Sequence, residues 1–104
     1  MAIPNYGSNS HGDNLDQFAK ALSGSKAWDA SSIADGDEEA LEITVSGAAL
    51  GDFVMSSLSI DVADLVLRGA VTAADTVTLI LANNTGGAVD LGAATAHCLV
   101  VKKA

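Results

Sequence analysis

Apolar and polar residues alternate along most of this sequence, which is the pattern of half-buried β-strands. The alternation is clearest in residues 40–45 (ALEITV) and 76–83 (TVTLILAN), and weaker versions occupy residues 53–60, 65–71 and 95–101. Because successive side chains of a strand point to opposite faces, each run has one side for a core and one for the surface. The predicted inward side chains are those of Leu41, Ile43, Val45, Leu65, Leu67, Val71, Val77, Leu79, Leu81, Ala96, Cys98 and Val100.

The spacing of these runs predicts the fold class. They follow one another at intervals of about ten residues and are separated by turns rich in glycine and aspartate. No helical run lies between them to carry a parallel crossover, so antiparallel pairing is expected. We therefore predict an all-β domain in residues 28–104, an antiparallel β-sandwich or small barrel of six to seven short strands.

Residues 1–27 differ in composition and are predicted to form an N-terminal arm with one short helix. Turn-forming residues dominate the first twelve positions. In residues 13–24 (DNLDQFAKALSG), apolar side chains recur at helical spacing, and Gly24 is predicted to end the helix. A helix of two to three turns is marginal by itself. We expect it to dock on the β domain or on a neighbouring subunit.

The charge balance limits the classes of partner. The 104 residues include 13 acidic and 5 basic side chains, which gives a net charge of −8. Nucleic-acid backbones are bound by clustered Lys and Arg, so no nucleic-acid partner is expected. The charged fraction is only 17% and the apolar fraction 49%, a composition that favours burial against other copies or another protein.

Membrane insertion and export are also not expected. No apolar run approaches the ~18 residues that a membrane-spanning helix needs. The polar opening, MAIPNYGSNSHGDNL, does not have the pattern of a secretory signal peptide. Cys98 is the single cysteine and has no internal disulfide partner.

The residues that could carry chemistry do not form a known catalytic or metal-binding pattern. Asp35 and Asp37, in the acidic stretch DGDEEALE, are the strongest calcium candidates, but the glycine and distal glutamate of a calcium loop are misplaced, which favours a solvated turn. His97 and Cys98 are adjacent on a strand and therefore point to opposite faces. Neither a nucleophile elbow nor a phosphate-binding loop is present. We predict a protein that is not an enzyme, with no metal and no cofactor.

Several segments taken together resemble a small β module that recurs in structural proteins of tailed bacteriophages. They are SIADG, VSGAALGDFV, VTAADTVTLILANNTGGAVDL and the closing strand, and the resemblance covers roughly residues 28–101. It implies a virion component made in the bacterial cytoplasm. The expected role is a capsid decoration or cement protein that binds the major capsid protein on the outer capsid surface and stabilises the shell. A head-fibre or tail-associated module, or a carbohydrate-binding or adhesion β domain, is the alternative.

The outward side chains of the last strand point to an interface. Modules of this kind tend to place charged residues there, whereas Leu99 and Val101 are apolar. An apolar outer face is typical of a covered surface, and either a partner subunit or the docked helix is a possible cover. We predict a homo-oligomer, with a trimer favoured. The predicted subunit interface contains Trp28 (alternatively a core residue), Ile80, Leu99 and Val101. The predicted capsid-contacting arm contains Tyr6, Leu15, Phe18 and Leu22.

Overall fold

A computed structural model describes residues 20–103 and shows two antiparallel three-stranded β-sheets. One sheet has the strand order β1-β6-β3 and the other β2-β5-β4. The strands are β1 (Ala21–Ala30), β2 (Glu38–Thr44), β3 (Phe53–Leu58), β4 (Val66–Ala73), β5 (Thr76–Ala82) and β6 (Gly92–Val101). The predicted all-β antiparallel fold is confirmed, and two facing sheets fit a sandwich. Within the described residues, no helix has the length and apolar character to cross a membrane.

The core lies between the two sheets, and the central strands β5 and β6 supply its most buried side chains. Their inward residues, as predicted from the alternation, are Val77, Leu79, Leu81, Ala96, Cys98 and Val100. A central strand is flanked by neighbours on both sides and covered by the opposite sheet, which explains the near-complete burial. Full burial of one Val or Leu side chain contributes roughly 1.5–3 kcal/mol. These two apolar stripes therefore account for much of the drive to fold.

The first strand corrects the predicted helix of residues 13–24. Residues 21–24 belong to β1, which pairs with β6 along its whole length, from Ala21 opposite Val101 to Ala30 opposite Gly92. A ten-residue ladder satisfies backbone groups that a short, marginal helix would satisfy less well. The β domain accordingly begins at Ala21 rather than at residue 28. Residues 13–19 of the predicted helix lie outside the described residues.

Gly24 has a packing role in place of the predicted helix-ending role. A Cβ atom at this position would lie 2.9 Å from Val45 Cγ2 and 3.1 Å from Ile43 Cγ2, both on the opposite sheet side of the core. Glycine within a strand often marks such a close approach of another segment. The feature that resembles a helix terminator in the sequence is thus a site where the two sheets come close together.

Asn83 joins three loops at one end of the fold. Its side chain is fully buried, and its amide nitrogen Nδ2 donates to Ile33 O at 2.7 Å and to Gly87 O at 2.8 Å. Its Oδ1 accepts from the backbone N–H of Thr85 at 2.9 Å and from Thr85 Oγ1 at 2.7 Å. Its main-chain N–H and C=O bond to the turn at residues 36–37. One buried amide therefore fixes the loops on both sides of it.

Candidate protein-binding face

The outer face of the sheet β1-β6-β3 is nearly free of charge, and we call it the β6 face. It consists of Ala21, Ser23, Ser25, Ala27 and Asp29 from β1, Phe53, Met55 and Ser57 from β3, and Ala93, Thr95, His97, Leu99 and Val101 from β6. Asp29 is the only one of these thirteen that carries a formal charge when His97 is neutral. It lies opposite Ala93, at the end of the sheet remote from Val101.

The outer face of the other sheet, β2-β5-β4, is polar by contrast. It carries two glutamates and one arginine, and Arg68 Nη2 lies 3.5 Å from Glu38 Oε1 in an exposed ion pair. Four threonines occupy neighbouring positions on its strands, at Thr44, Thr72, Thr76 and Thr78. In a chain with a net charge of −8, an uncharged face is the one on which another protein can pack without desolvating charged groups.

The apolar side chains of the β6 face gather at one end. Phe53 is 65% exposed, Met55 64% and Leu99 38%, while Val101 is half-buried. The strand register places Phe53 opposite Val101 and Met55 opposite Leu99, so the four side chains form a two-by-two cluster. A shallow groove of about 270 Å³ runs alongside Met55 and Leu99. An exposed apolar cluster of this kind is typical of a binding surface.

The predicted interface residues do not all meet on this face. Leu99 and Val101 lie on it, as expected from their outward positions. Ile80 is half-buried on the outer face of the other sheet, beside Arg68, so it cannot belong to the same patch. Trp28 points inward and is only 7% exposed, which makes it a core residue and corrects its assignment to the interface.

Phe53 and Met55 are the main residues of this face that the sequence-based prediction missed. The signal was present in the parity of β3, because the inward positions of Val54, Ser56 and Leu58 leave Phe53 and Met55 outward. Two large apolar side chains at outward positions of one strand are the pattern that would have identified them.

The predicted arm residues are only partly described by the structure. Leu22 is half-buried on the inner side of β1 and packs against the core, with its Cδ1 close to Gly47. It therefore belongs to the β domain and not to a capsid-contacting arm. Tyr6, Leu15 and Phe18 lie outside the described residues.

The candidate metal and redox residues have local structural roles. Asp35 Oδ1 accepts from Gly86 N at 3.0 Å, and Asp37 Oδ1 accepts from the N–H of the next residue at 2.9 Å, so both carboxylates stabilise turns. In residues 20–103, no three His, Cys, Asp or Glu side chains gather where they could hold a metal ion. His97 is exposed and Cys98 is buried, as the strand alternation predicts, and burial raises the pKa of the Cys98 thiol.

A buried ion pair anchors the apolar end of the β6 face. Asp52 immediately precedes Phe53, and its carboxylate accepts from Lys102 Nζ at 2.6 Å, from Lys103 N at 3.1 Å and from Ala49 N at 3.0 Å. The hydrogen bond from Lys102 is the main reason that the pKa of Asp52 falls to about 2, while burial opposes this shift. Asp52 thus ties the end of β6 to the loop that leads into β3.

Asp52→Asn is expected to remove part of the acid sensitivity of the fold. The folded-state pKa lies below the ordinary value of 3.8, so the carboxylate stabilises the protein above pH 3.8, and this contribution is lost as the pH falls towards about 2. Tm measured by circular dichroism should be lower for the variant at pH 7, and the difference from the wild type should shrink between pH 3.8 and pH 2. Asp29→Asn, a change at an exposed carboxylate, is the control. A difference in Tm that is constant across this window contradicts the ion-pair explanation.

Comparisons with known proteins add no family to this description. Models of protein families, curated protein sequences and solved structures were compared with the chain, and none matches it. The functional interpretation therefore depends on the geometry of the β6 face and on the sequence resemblance described above.

Proposed function

We propose that this chain is a structural protein of a tailed-bacteriophage virion, a decoration or cement protein that binds the major capsid protein on the outer capsid surface and stabilises the shell. The observation that carries the proposal is the uncharged β6 face with Phe53, Met55 and Leu99 exposed. The cores of protein–protein interfaces are depleted in charge and enriched in aromatic residues and Met. The virion assignment itself comes from the sequence resemblance.

The size of the face fits a contact that is repeated many times. Three strands spaced ~4.8 Å apart, with about ten residues rising ~3.3 Å each, give roughly 500 Å² of sheet surface. Stable interfaces bury about 800 Å² on each partner, so one β6 face alone supports a weak contact. On a capsid lattice, weak contacts that are linked in an oligomer become strong through multivalency.

Stabilisation of the shell follows from binding to the assembled state alone. A ligand that binds one state of an equilibrium and not the other shifts the balance towards the bound state. The proposal includes a homo-oligomer, with a trimer favoured, and a capsid-contacting arm upstream of β1. It requires neither a metal nor a cofactor, and it places the protein on the capsid surface after synthesis in the bacterial cytoplasm.

The test is capsid binding by Met55→Asp with Val66→Asp as its control. Both residues are exposed apolar side chains on edge strands, but Met55 lies on the β6 face and Val66 on the outer face of the other sheet. We expect Met55→Asp to weaken binding to expanded capsids at least ~10-fold, equivalent to about 1.4 kcal/mol, and Val66→Asp to bind like the wild type. Capsids stripped of the protein should break at a lower temperature and recover when it is added back. Equal thermal stability with and without the protein overturns the cement function.

One observation favours the alternative of a glycan-binding module. Phe53 is an exposed aromatic side chain, and sugar rings stack on such platforms. Phe53→Leu separates the two functions, because leucine keeps the apolar contact and loses the ring. Retained capsid binding by this variant supports the cement function, whereas loss of adsorption to host cells with intact capsid binding supports the glycan module.

A further inference from the structure

The two sheets have four edge strands, and three of them carry features that discourage pairing with another chain. β1 contains Lys26, which points towards the second sheet and donates from Nζ to Glu42 O at 3.0 Å. β2 contains three glutamates in seven residues. β4 contains Arg68 and a shift in register between Val71 and Ala73. Charges, inward-pointing lysines and bulges are the devices by which sheet edges resist association.

The fourth edge, β3, carries none of these devices. Its sequence, FVMSSL, contains no charged residue and no proline, and its register with β6 is continuous from Phe53 to Leu58. Phe53 and Met55 project from this strand on the β6 face and are the most exposed large apolar side chains of the described residues. An uncharged edge with exposed apolar side chains is a ready template for another strand.

We infer that β3 of one copy pairs antiparallel with β3 of a second copy about a two-fold axis, which joins two three-stranded sheets into one six-stranded sheet. The new sheet has the order β1-β6-β3 followed by β3-β6-β1 of the partner. An isologous contact of this kind gives a dimer, or links two trimers back to back. The inference deepens the proposed function by naming a partner for the β6 face, and it rests on that proposal only in treating the face as a binding surface.

A second copy fits this edge better than it fits any other. Two chains that each carry a net charge of −8 repel one another, so they can approach closely only where the contact itself is uncharged. The glutamates of β2 would face their own copies across a two-fold axis, whereas β3 brings Phe53 and Met55 of both copies together. The two apolar clusters then form one surface of roughly 1,000 Å², double that of a single face and above the size of a stable contact on one partner.

The competing occupant is the segment upstream of β1 in the same chain. Lys20 O accepts from Lys102 N at 3.0 Å, so residue 19 joins the sheet beside β1, on the far side of β6 from β3. To cover the free edge of β3, this segment would have to cross two strand spacings, about 10 Å. The segment therefore makes a distinct outcome in the experiment, because it would cover β3 without forming a dimer.

The experiment compares Ser57→Lys with Ser25→Lys in the full chain. Both serines are exposed on the β6 face and both lie opposite His97, Ser57 on the β3 side and Ser25 on the β1 side. In sedimentation-velocity runs over a concentration series, the wild type should dimerise. Ser57→Lys should raise the dimer Kd at least ~10-fold, and Ser25→Lys should change it less than ~2-fold. Hydrogen exchange of β3 amides in the wild type should slow as the concentration rises.

Three results overturn the inference. The first is a wild type that stays monomeric with fast-exchanging β3 amides. The second is equal weakening by Ser57→Lys and Ser25→Lys, which assigns the contact to the faces of the sheets. The third is protection of β3 in a monomer at all concentrations, which assigns the edge to the chain's own upstream segment. Because dimerisation is measured without capsids, loss of the dimer with retained capsid binding leaves the proposed function in place, and the reverse result removes the proposed function alone.

Discussion

Asn83→Asp should destabilise the fold by about 2–6 kcal/mol, because it places a carboxylate oxygen where the amide Nδ2 now donates two hydrogen bonds. The replaced atom would lie 2.7 Å from Ile33 O and 2.8 Å from Gly87 O, so two attractive contacts become repulsive. Each buried carbonyl left without a donor costs about 1–3 kcal/mol. Domains of this size are stable by only about 5–15 kcal/mol, so the loss is a large fraction of the total.

The control for this prediction is the neighbouring residue. Asn84→Asp makes the same chemical change at an exposed position and is expected to alter stability by no more than ~0.5 kcal/mol. Urea unfolding followed by tryptophan fluorescence measures both variants, since Trp28 is buried in the folded state. Equal urea midpoints for the two variants would show that Asn83 does not hold the three loops together.

Gly69→Ala should destabilise the fold by about 1–3 kcal/mol, because the added methyl group has no room. A Cβ at Gly69 would lie 2.5 Å from Leu79 Cδ2 and 3.0 Å from Val54 Cγ1, which come from the neighbouring strand and from the opposite sheet. Leu79 is fully buried and cannot turn towards solvent to make space. The wild-type glycine therefore permits the close packing of β4 against the centre of the core.

A double-mutant cycle identifies the cause of this effect. Leu79→Ala alone should cost about 2–5 kcal/mol through the cavity that it leaves. The double variant Gly69→Ala/Leu79→Ala should cost clearly less than the sum, because the new methyl group occupies part of that cavity. Gly87→Ala, where a Cβ meets no atom within 4 Å, is the control and should be close to neutral. Strict additivity of the two core changes contradicts the steric explanation.

The faces of the strands were predictable from sequence because a period of two fixes which side chains share a face. The inward residues of β5 and β6 are buried and Leu99 is exposed, as the alternation indicates. The conformation of residues 21–24 was not predictable in the same way. Leu22 fits a helical spacing and a strand parity equally well, and the ladder with β6, at the other end of the described chain, decides between them.

The composition of the candidate face was only partly predictable for a related reason. Alternation shows that Ile80 and Leu99 both point outward, but it does not show to which sheet each strand belongs. Sheet membership depends on pairings between distant strands, and these place Ile80 and Leu99 on opposite outer surfaces. The contribution of Phe53 became visible only when β3 was found beside β6 in the same sheet.

The central position of β6 also orders the events of synthesis. β6 is made after β1 and β3, yet it is the strand that joins them, so the sheet β1-β6-β3 cannot form until residues 92–101 have left the ribosome. The sheet β2-β5-β4 uses only residues 38–82 and is complete as a sequence before β6 is translated. We expect a nascent chain in which one half of the sandwich is able to pair while the uncharged strand β3 still lacks a neighbour on either side. During translation β3 is therefore the segment that most needs protection from premature contacts between chains.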